Sequence, residues 1–292
     1  MRVMGLVTAL TVLLMGTVAW GDCRIPEGDK LTIGCTLYNC KSSYISAIEE
    51  VAFDLNLPVE IVTVRNGLTQ FDGVLSPGGH DILPKYYTDN FIDYGDAQAA
   101  VERFYRLGKT GSLGQRRDAF EVDFFSNYFD LSPSEQAPSL GICYGMQMLS
   151  VVQGEALYVD IFEQLKIPNR YSLYDTIELE ENISRIPDHF QGFHTGLIDL
   201  KNRLKDQQRD LIGYESHHQG IDMKNYLERG VNSNLVVAGT SNGGQIGEII
   251  YSKSSPSLGV QFHPEVSKRS PELKQYIFKW FLKKACEFHN RI

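Results

Sequence analysis

The sequence predicts an α/β protein whose core is an open, mostly parallel β-sheet with helices on both faces. Apolar segments of strand length alternate along the chain with segments of helical periodicity. Strands that alternate with helices pair in parallel, and the helices then cover both faces of the sheet. Polar and glycine-rich turns follow several of these strands, so we expect the chemistry to gather at the carboxyl edge of the sheet.

The first predicted elements lie near the amino terminus. Strands are predicted at residues 30–37, 59–64 and 72–75, and a helix at residues 43–55. The helix places apolar side chains at three- and four-residue intervals and ends before Pro58, whereas the second strand is rich in β-branched residues. This β-α-β arrangement is typical of a parallel sheet.

Later segments add to this sheet. Residues 80–137, rich in Tyr and Phe, are predicted to form an insertion with helices at 96–107 and 115–129. Residues 173–260 alternate short β-like runs with turns, which favours extra antiparallel strands. The last helix is predicted to begin with Ser270 as its N-cap and a proline as its first residue.

The stretch at residues 139–147 carries the strongest functional signal. It reads Ser-Leu-Gly-Ile-Cys-Tyr-Gly-Met-Gln, an apolar strand that ends at Cys143 and is followed at once by a helix-compatible segment. The pattern is typical of a nucleophile elbow, in which Gly141 and Gly145 relieve crowding around a strained turn. A helix that begins beside the sulfur favours thiolate over thiol. The alternative interpretation is a buried structural cysteine.

A second polar cluster ends another apolar strand at residues 258–265. The segment reads Leu-Gly-Val-Gln-Phe-His-Pro-Glu, so His263 and Glu265 lie two positions apart. A thiolate nucleophile needs an imidazole that moves protons, and the imidazole needs an acceptor that orients it. Pro264 stiffens the backbone between the two side chains. The pair predicts a base and its orienting acid, with a surface loop and an incidental acid as the alternative.

Two further motifs complete a set that resembles a known superfamily. They are Ser-Pro-Gly-Gly at residues 76–79, after an apolar strand, and Ser-His-His-Gln-Gly at residues 216–220. Together the four motifs resemble, in order, those of the class I glutamine amidotransferases, and they span residues 31–288. Within that superfamily the chain most resembles the γ-glutamyl hydrolases, including the γ-glutamyl-γ-aminobutyrate hydrolase branch. The resemblance implies a flavodoxin-like sheet.

The resemblance also implies a role for each matched residue. The expected catalytic residues are the nucleophile Cys143, the general base and acid His263, and the orienting Glu265. The expected oxyanion hole is made by the backbone N–H groups of Tyr144 and of Gly78 or Gly79.

Four residues are expected to bind the substrate. These are Gln147, one helical turn after the nucleophile, and His217, His218 and Gln219. A solvated turn is the alternative for the two histidines.

One departure from the family pattern lies at residues 244–248, where relatives often read Gly-x-Ile-Glu-Ala and this chain reads Gly-Gln-Ile-Gly-Glu. Because the acid is displaced by one position, Glu248 is expected on the opposite face of its strand.

The first residues resemble a secretory signal peptide. Residues 3–18 carry no charge, and small residues at Ala19 and Gly21 predict cleavage before Asp22. The expected organisation is a signal peptide at 1–21 and a single amidotransferase-like domain at 22–292. The predicted location is an exported compartment: the periplasm, the extracellular space, or a lysosome or vacuole. A retained signal anchor is the alternative.

Composition excludes some partners. The net charge of −8 and the pI near 5.4 offer no attraction to nucleic acid or to anionic lipid, and after signal removal no membrane association is expected. No CxxC or HExxH spacing occurs, so no metal and no cofactor are expected. Self-association into a homo-oligomer is left open.

In an oxidising compartment we expect at least one disulfide among Cys23, Cys35, Cys40 and Cys286, in any of three connectivities.

The resemblance implies a secreted cysteine hydrolase that cleaves γ-glutamyl amide bonds through a thioester on Cys143. One alternative is a glutaminase subunit that supplies ammonia to a partner synthase, which the predicted export disfavours. Another is a catalytically silent binding protein on the same fold, which the intact cysteine, histidine and glutamate disfavour.

Overall fold

An eight-stranded sheet forms the centre of the computed structural model, which describes residues 23–65, 71–108, 111–167 and 174–291. Across the sheet the strands are β2 (Val59–Thr63), β1 (Leu31–Cys35), β3 (Gly73–Ser76), β4 (Ser139–Ile142), β12 (Ser257–Val260), β11 (Ile246–Ser252), β10 (Leu235–Ser241) and β7 (Glu178–Leu179). The first five strands pair in parallel, and the last three add antiparallel pairs. The predicted mostly parallel sheet with extra antiparallel strands is confirmed.

Two small antiparallel pairs lie outside this sheet. They are β5 (Leu157–Tyr158) with β9 (Gly220–Ile221), and β6 (Asp175–Thr176) with β8 (Ile212–Gly213). The predicted signal peptide at residues 1–21 lies outside the described residues.

Eight helices of the described ranges surround the sheet. They are α1 (Ser42–Asp54), α2 (Gly95–Leu107), α3 (Ser112–Phe129), α4 (Tyr144–Val152), α5 (Ile161–Leu165), α6 (Asp188–Asp206), α7 (Met223–Arg229) and α8 (Pro271–His289). Side chains of α1, α6 and α8 form the core on one face, and those of α2, α3 and α4 form the core on the other. Among the described residues, none of these helices has both the length and the apolar character needed to cross a membrane.

Helix α6 is where the sequence interpretation was wrong. Residues 173–260 were expected to supply short strands and turns, yet a 19-residue helix lies within them. Its buried residues, Phe190, Phe193, Leu197, Leu200 and Leu204, recur at three- and four-residue spacing, which is the helical signal that the prediction passed over. Gly196 is required there because a Cβ would collide with the hydroxyl of Tyr276.

The start of α8 is where the sequence predicts it, with Ser270 at the N-cap position and Pro271 as the first residue of the helix. The side chain of Ser270 makes no capping hydrogen bond, and its Oγ instead accepts the backbone N–H of Ile212 at 3.1 Å. Ser270 therefore also joins the helix start to β8.

Two disulfides restrain the chain, which confirms the expectation of at least one. Cys35 pairs with Cys40 just after β1, and Cys23 pairs with Cys286 of α8 across 263 residues of sequence. Of the three connectivities that the sequence allows, the fold selects this one because it places these cysteines beside each other. Cys143 remains a free, buried thiol.

Candidate active site

Cys143 occupies a strained turn between β4 and α4. Its backbone has φ 53° and ψ −106°, a conformation that non-glycine residues adopt at a cost of about 1–3 kcal/mol. A Cβ on Gly141 would lie 2.6 Å from the carbonyl group of Gly145, and one on Gly145 would collide with the carbonyl oxygen of Ser76. The close approach of three backbone segments therefore demands the two glycines, as expected for a nucleophile elbow.

His263 reaches the sulfur because its strand is the neighbour of the elbow strand. The backbone N–H of Cys143 donates to the carbonyl of Val260 at 2.8 Å, so the residues after β12 continue beside the elbow. The Nδ1 of His263 lies 2.8 Å from Oε1 of Glu265, whose side chain is 3% exposed. The side chain of Cys143 lies close enough to this imidazole to raise its pKa.

These contacts control the charge of the imidazole. Burial lowers the pKa of His263, but the hydrogen bonds and charges of Cys143 and Glu265 outweigh it and raise the pKa to about 10. The arrangement therefore favours an imidazolium at neutral pH, ready to protonate a leaving group.

Tyr44 of α1 is a site residue that the sequence did not reveal. Its hydroxyl accepts the N–H of Gly78 at 2.9 Å and lies 3.4 Å from Nδ1 of His263. Burial, followed by the nearby charges of Glu265 and Cys143, raises the pKa of the phenol far above its usual value, so the hydroxyl stays neutral. In the sequence Tyr44 falls within the helix predicted at residues 43–55 and belongs to no recognised motif.

The Ser-Pro-Gly-Gly turn after β3 lies against the elbow. A Cβ on Gly78 would lie 2.7 Å from Cε1 of His263, so only glycine fits beside the imidazole. Because Tyr44 already accepts the N–H of Gly78, the N–H of Gly79 is the better candidate for an oxyanion donor. The N–H of Tyr144, the first residue of α4, has no acceptor within its helix.

Two of the expected substrate-binding side chains are held by the protein itself. The Nε2 of Gln147 donates to the carbonyl of Gln219 at 2.7 Å, and the Gln219 amide exchanges hydrogen bonds with the backbone of Ile82 and with the hydroxyl of Tyr87. Both side chains are buried. These hydrogen bonds fix both side chains in the protein interior, Gln147 within helix α4 and Gln219 next to it.

His217 and His218 point to different surroundings. The ring of His218 packs edge-on against Phe162. His217 donates through Nδ1 to the carbonyl of Gln219, and its Nε2 lies 2.8 Å from Oε2 of Glu215. The structure therefore brings His217, and not His218, to a buried acidic cluster.

That cluster contains Glu215, His217 and the displaced Glu248, which is fully buried and accepts a hydrogen bond from Ser241. Burial and the charge of Asp175 raise the pKa of Glu215 to about 8, while Glu248 and His263 act in the opposite direction. Burial and the neighbouring Glu215 raise the pKa of Glu248 well above its usual value. One ligand atom from each of the three lies within 4.8 Å of the others, so among the described residues this group could hold a metal ion.

Comparison with solved structures supports the fold. The chain superposes with a TM-score of 0.50 on a Thermoplasma acidophilum protein that is described as part of a GMP synthase. The match covers 90% of this chain and 97% of that chain at 15% sequence identity. This likeness shows a shared fold: a mostly parallel sheet with flanking helices.

Sequence relatives point the same way. A glutamine amidotransferase-like protein of Lactococcus lactis subsp. lactis is 24% identical over 243 residues, which cover 82% of this chain and 86% of that protein. A glutamine amidotransferase of Schizosaccharomyces pombe is 28% identical over 77% of this chain and 78% of that protein. CTP synthase of Clostridium acetobutylicum is 30% identical over 51% of this chain, but over only 29% of its own length.

The profile of the family described as glutamine amidotransferase class-I matches residues 111–284, more than half of the chain. The chain therefore belongs to the class I glutamine amidotransferase family, and its domain is an enzyme domain of the amidotransferase and hydrolase kind.

Proposed function

We propose that this protein is a γ-glutamyl hydrolase that cleaves the side-chain amide of γ-glutamyl compounds through a thioester on Cys143. The observation that carries the proposal is the 2.8 Å contact of His263 with Glu265, together with the position of Cys143 and His263 on either side of Gly78 in the glycine turn after β3. A thiolate, a protonated imidazole and free backbone donors are the groups that thioester chemistry requires.

In the proposed reaction the thiolate of Cys143 attacks the γ-carbonyl carbon and forms a carbon–sulfur bond. The N–H groups of Tyr144 and Gly79 stabilise the resulting oxyanion. The intermediate collapses as His263 gives its proton to the departing amine. Water, deprotonated by His263, then hydrolyses the thioester, releases glutamate and restores the thiolate.

Two features support a free-standing hydrolase over an ammonia-supplying glutaminase. The pairs Cys23–Cys286 and Cys35–Cys40 suit an oxidising compartment, which agrees with export directed by residues 1–21. Ammonia-using synthesis is normally cytosolic. In addition, the match to the amidotransferase-like protein of Lactococcus lactis covers most of both chains. We further propose that the mature chain begins at Asp22.

The glutaminase function is the second candidate, and the partial match to CTP synthase favours it. That match covers 51% of this chain, and both reactions use the same thioester chemistry. The two functions differ in the amine that leaves: ammonia from glutamine, or a larger amine from a γ-glutamyl compound.

Cys143→Ala provides the direct test. We expect wild-type protein to release amine from γ-glutamyl peptides faster than ammonia from glutamine, and Cys143→Ala to lose all hydrolysis while keeping the wild-type Tm. Iodoacetamide applied without reductant should label one thiol, Cys143, and abolish activity in step with labelling. Intact mass gives the label count and the amino-terminal residue. Full activity in Cys143→Ala would refute the mechanism, and a preference for glutamine would favour the second candidate.

A further inference from the structure

Helix α3 buries a charged face that the mechanism above does not use. Arg117, Asp118 and Glu121 are 8%, 0% and 0% exposed. Burying charge is unfavourable unless every charged group has a well-placed partner. Several partners of this face lie in the two backbone segments that carry the proposed oxyanion donors.

Arg117 contacts the first segment, the turn after β3. Its Nη2 donates to the carbonyl of Pro77 at 2.6 Å, and its Nη1 donates to the carbonyl of Gly78 at 3.1 Å. The carbonyl of Gly78 and the N–H of Gly79 belong to one planar peptide unit. A guanidinium that holds this carbonyl therefore sets the direction of the Gly79 N–H and draws electron density away from it.

Arg117 also contacts the second segment, the elbow. Its guanidinium carbon lies 3.8 Å from the centre of the Tyr144 ring, and the hydroxyl of Tyr144 donates to Oδ1 of Asp118 at 2.8 Å. Tyr144 supplies the other proposed donor through its N–H. Side chains on one face of α3 thus contact both backbone segments that supply the proposed oxyanion donors.

Glu121 completes the assembly by orienting Arg117. Its Oε1 accepts Nε of Arg117 at 2.7 Å and the hydroxyl of Thr36 at 2.8 Å, and its Oε2 accepts the hydroxyl of Ser76 at 2.5 Å. The buried pair is therefore joined to the ends of β1 and β3. The guanidinium has little freedom to rotate away from the turn.

We propose that Arg117 is a positioning residue for the oxyanion hole, acting on the Gly79 N–H through the carbonyl of Gly78 and on the elbow through the ring of Tyr144. The inference rests on the proposed thioester mechanism. It requires that loss of Arg117 weakens stabilisation of the oxyanion while leaving the thiolate of Cys143 in place.

The experiment compares Arg117→Met, Arg117→Lys and the control Arg116→Met, which changes an exposed arginine at the adjacent position of α3. Hydrolysis of γ-glutamyl-p-nitroanilide and of glutamine gives kcat and KM. The rate of Cys143 alkylation by iodoacetamide is measured on the same preparations. Alkylation forms no oxyanion, so it reports on the nucleophile alone.

We expect Arg117→Met to lower kcat about 10- to 100-fold, less than the loss of an oxyanion donor itself, with KM and the alkylation rate close to those of Arg116→Met. Arg117→Lys should fall between them, because an ammonium keeps the charge but cannot bond both carbonyls in one plane. Arg117→Met with the kcat of Arg116→Met would overturn the inference. So would a parallel loss of alkylation, which would mean that the whole elbow had moved.

If Arg117→Met shows no cooperative thermal transition, it is not folded, and Arg117→Lys then provides the test. Its kcat and its rate of Cys143 alkylation are compared with those of Arg116→Met. Because the oxyanion hole serves both substrates, a wild-type protein that acts only on glutamine refutes the γ-glutamyl hydrolase but still tests Arg117. A wild-type protein that acts on neither substrate refutes the proposed function and the inference with it.

Discussion

Two histidine–glutamate pairs among the described residues have the same separation, but His263 uses Nδ1 and His217 uses Nε2. His263 approaches Glu265 at 2.8 Å, and His217 approaches Glu215 at 2.8 Å. The surroundings of the two imidazoles differ as well. The side chain of Cys143 lies close enough to His263 to raise its pKa, whereas the second ring nitrogen of His217 donates to the carbonyl of Gln219. We therefore expect proton transfer from His263 and not from His217.

The charges around the two pairs differ as well. His263 is buried with a thiol and one carboxylate, and their combined effect raises its pKa to about 10. Glu215 is buried beside a second carboxylate, Glu248, and burial raises the pKa of Glu215 to about 8. The first environment stabilises an ion pair, and the second keeps carboxyl groups protonated near neutral pH.

The largest expected effect separates the two histidines directly. His263→Ala should lower kcat about 10²- to 10⁴-fold because proton transfer to the leaving amine is lost. His217→Ala should raise KM and lower Tm, because it leaves Glu215 buried without its partner at a cost of about 1–3 kcal/mol. Steady-state kinetics and thermal unfolding of both variants provide the test. Equal losses of kcat would show that the two pairs do not differ in function.

A smaller effect concerns the pH dependence of the reactive pair. Since the pKa of His263 is about 10 in the folded protein against an ordinary 6.5, its stabilising charge is fully present below pH 6.5 and is lost as pH rises to about 10. We expect kcat/KM to fall as pH passes about 10. Glu265→Gln should move that decline to lower pH and reduce kcat less than His263→Ala does. An unmoved decline in Glu265→Gln would mean that the carboxylate does not control the imidazole.

The smallest expected effect concerns stability at the acidic cluster. The pKa of Glu215 is raised from 4.5 to about 8, so the protonated group stabilises the fold below pH 4.5 and this contribution is lost as pH rises to about 8. Glu215→Gln stays neutral and should raise Tm by about 2–4 °C at alkaline pH, the shift that about 1 kcal/mol produces in a domain of this size class. Thermal unfolding across this pH range, with Glu60→Gln at an exposed position of edge strand β2 as control, measures the difference. A lower Tm for Glu215→Gln at alkaline pH would show that its charge stabilises the cluster.

Much of the candidate site could be predicted from the sequence. Cys143 directly follows β4 and His263 comes shortly after β12, and parallel strands of one sheet bring their carboxyl ends together. The glycines around the elbow can also be recognised in the sequence, because a close backbone approach excludes any side chain at those positions. Such signals are local, since each involves residues within one strand and the turn that follows it.

The alternation of strands and helices and the candidate residues Cys143, His263 and Glu265 could thus be derived from local sequence patterns. The disulfide pairing, the acidic cluster around Glu215, and the contacts of Tyr44 and Arg117 with the glycine turn depend on how distant segments pack together. Tyr44 and Arg117 lie 34 and 39 residues from Gly78 along the chain. In the sequence Arg117 and Glu121 look like an ordinary i,i+4 ion pair on a helix surface. Nothing in the sequence shows that the other partners of Arg117 are backbone carbonyls, because every residue possesses one.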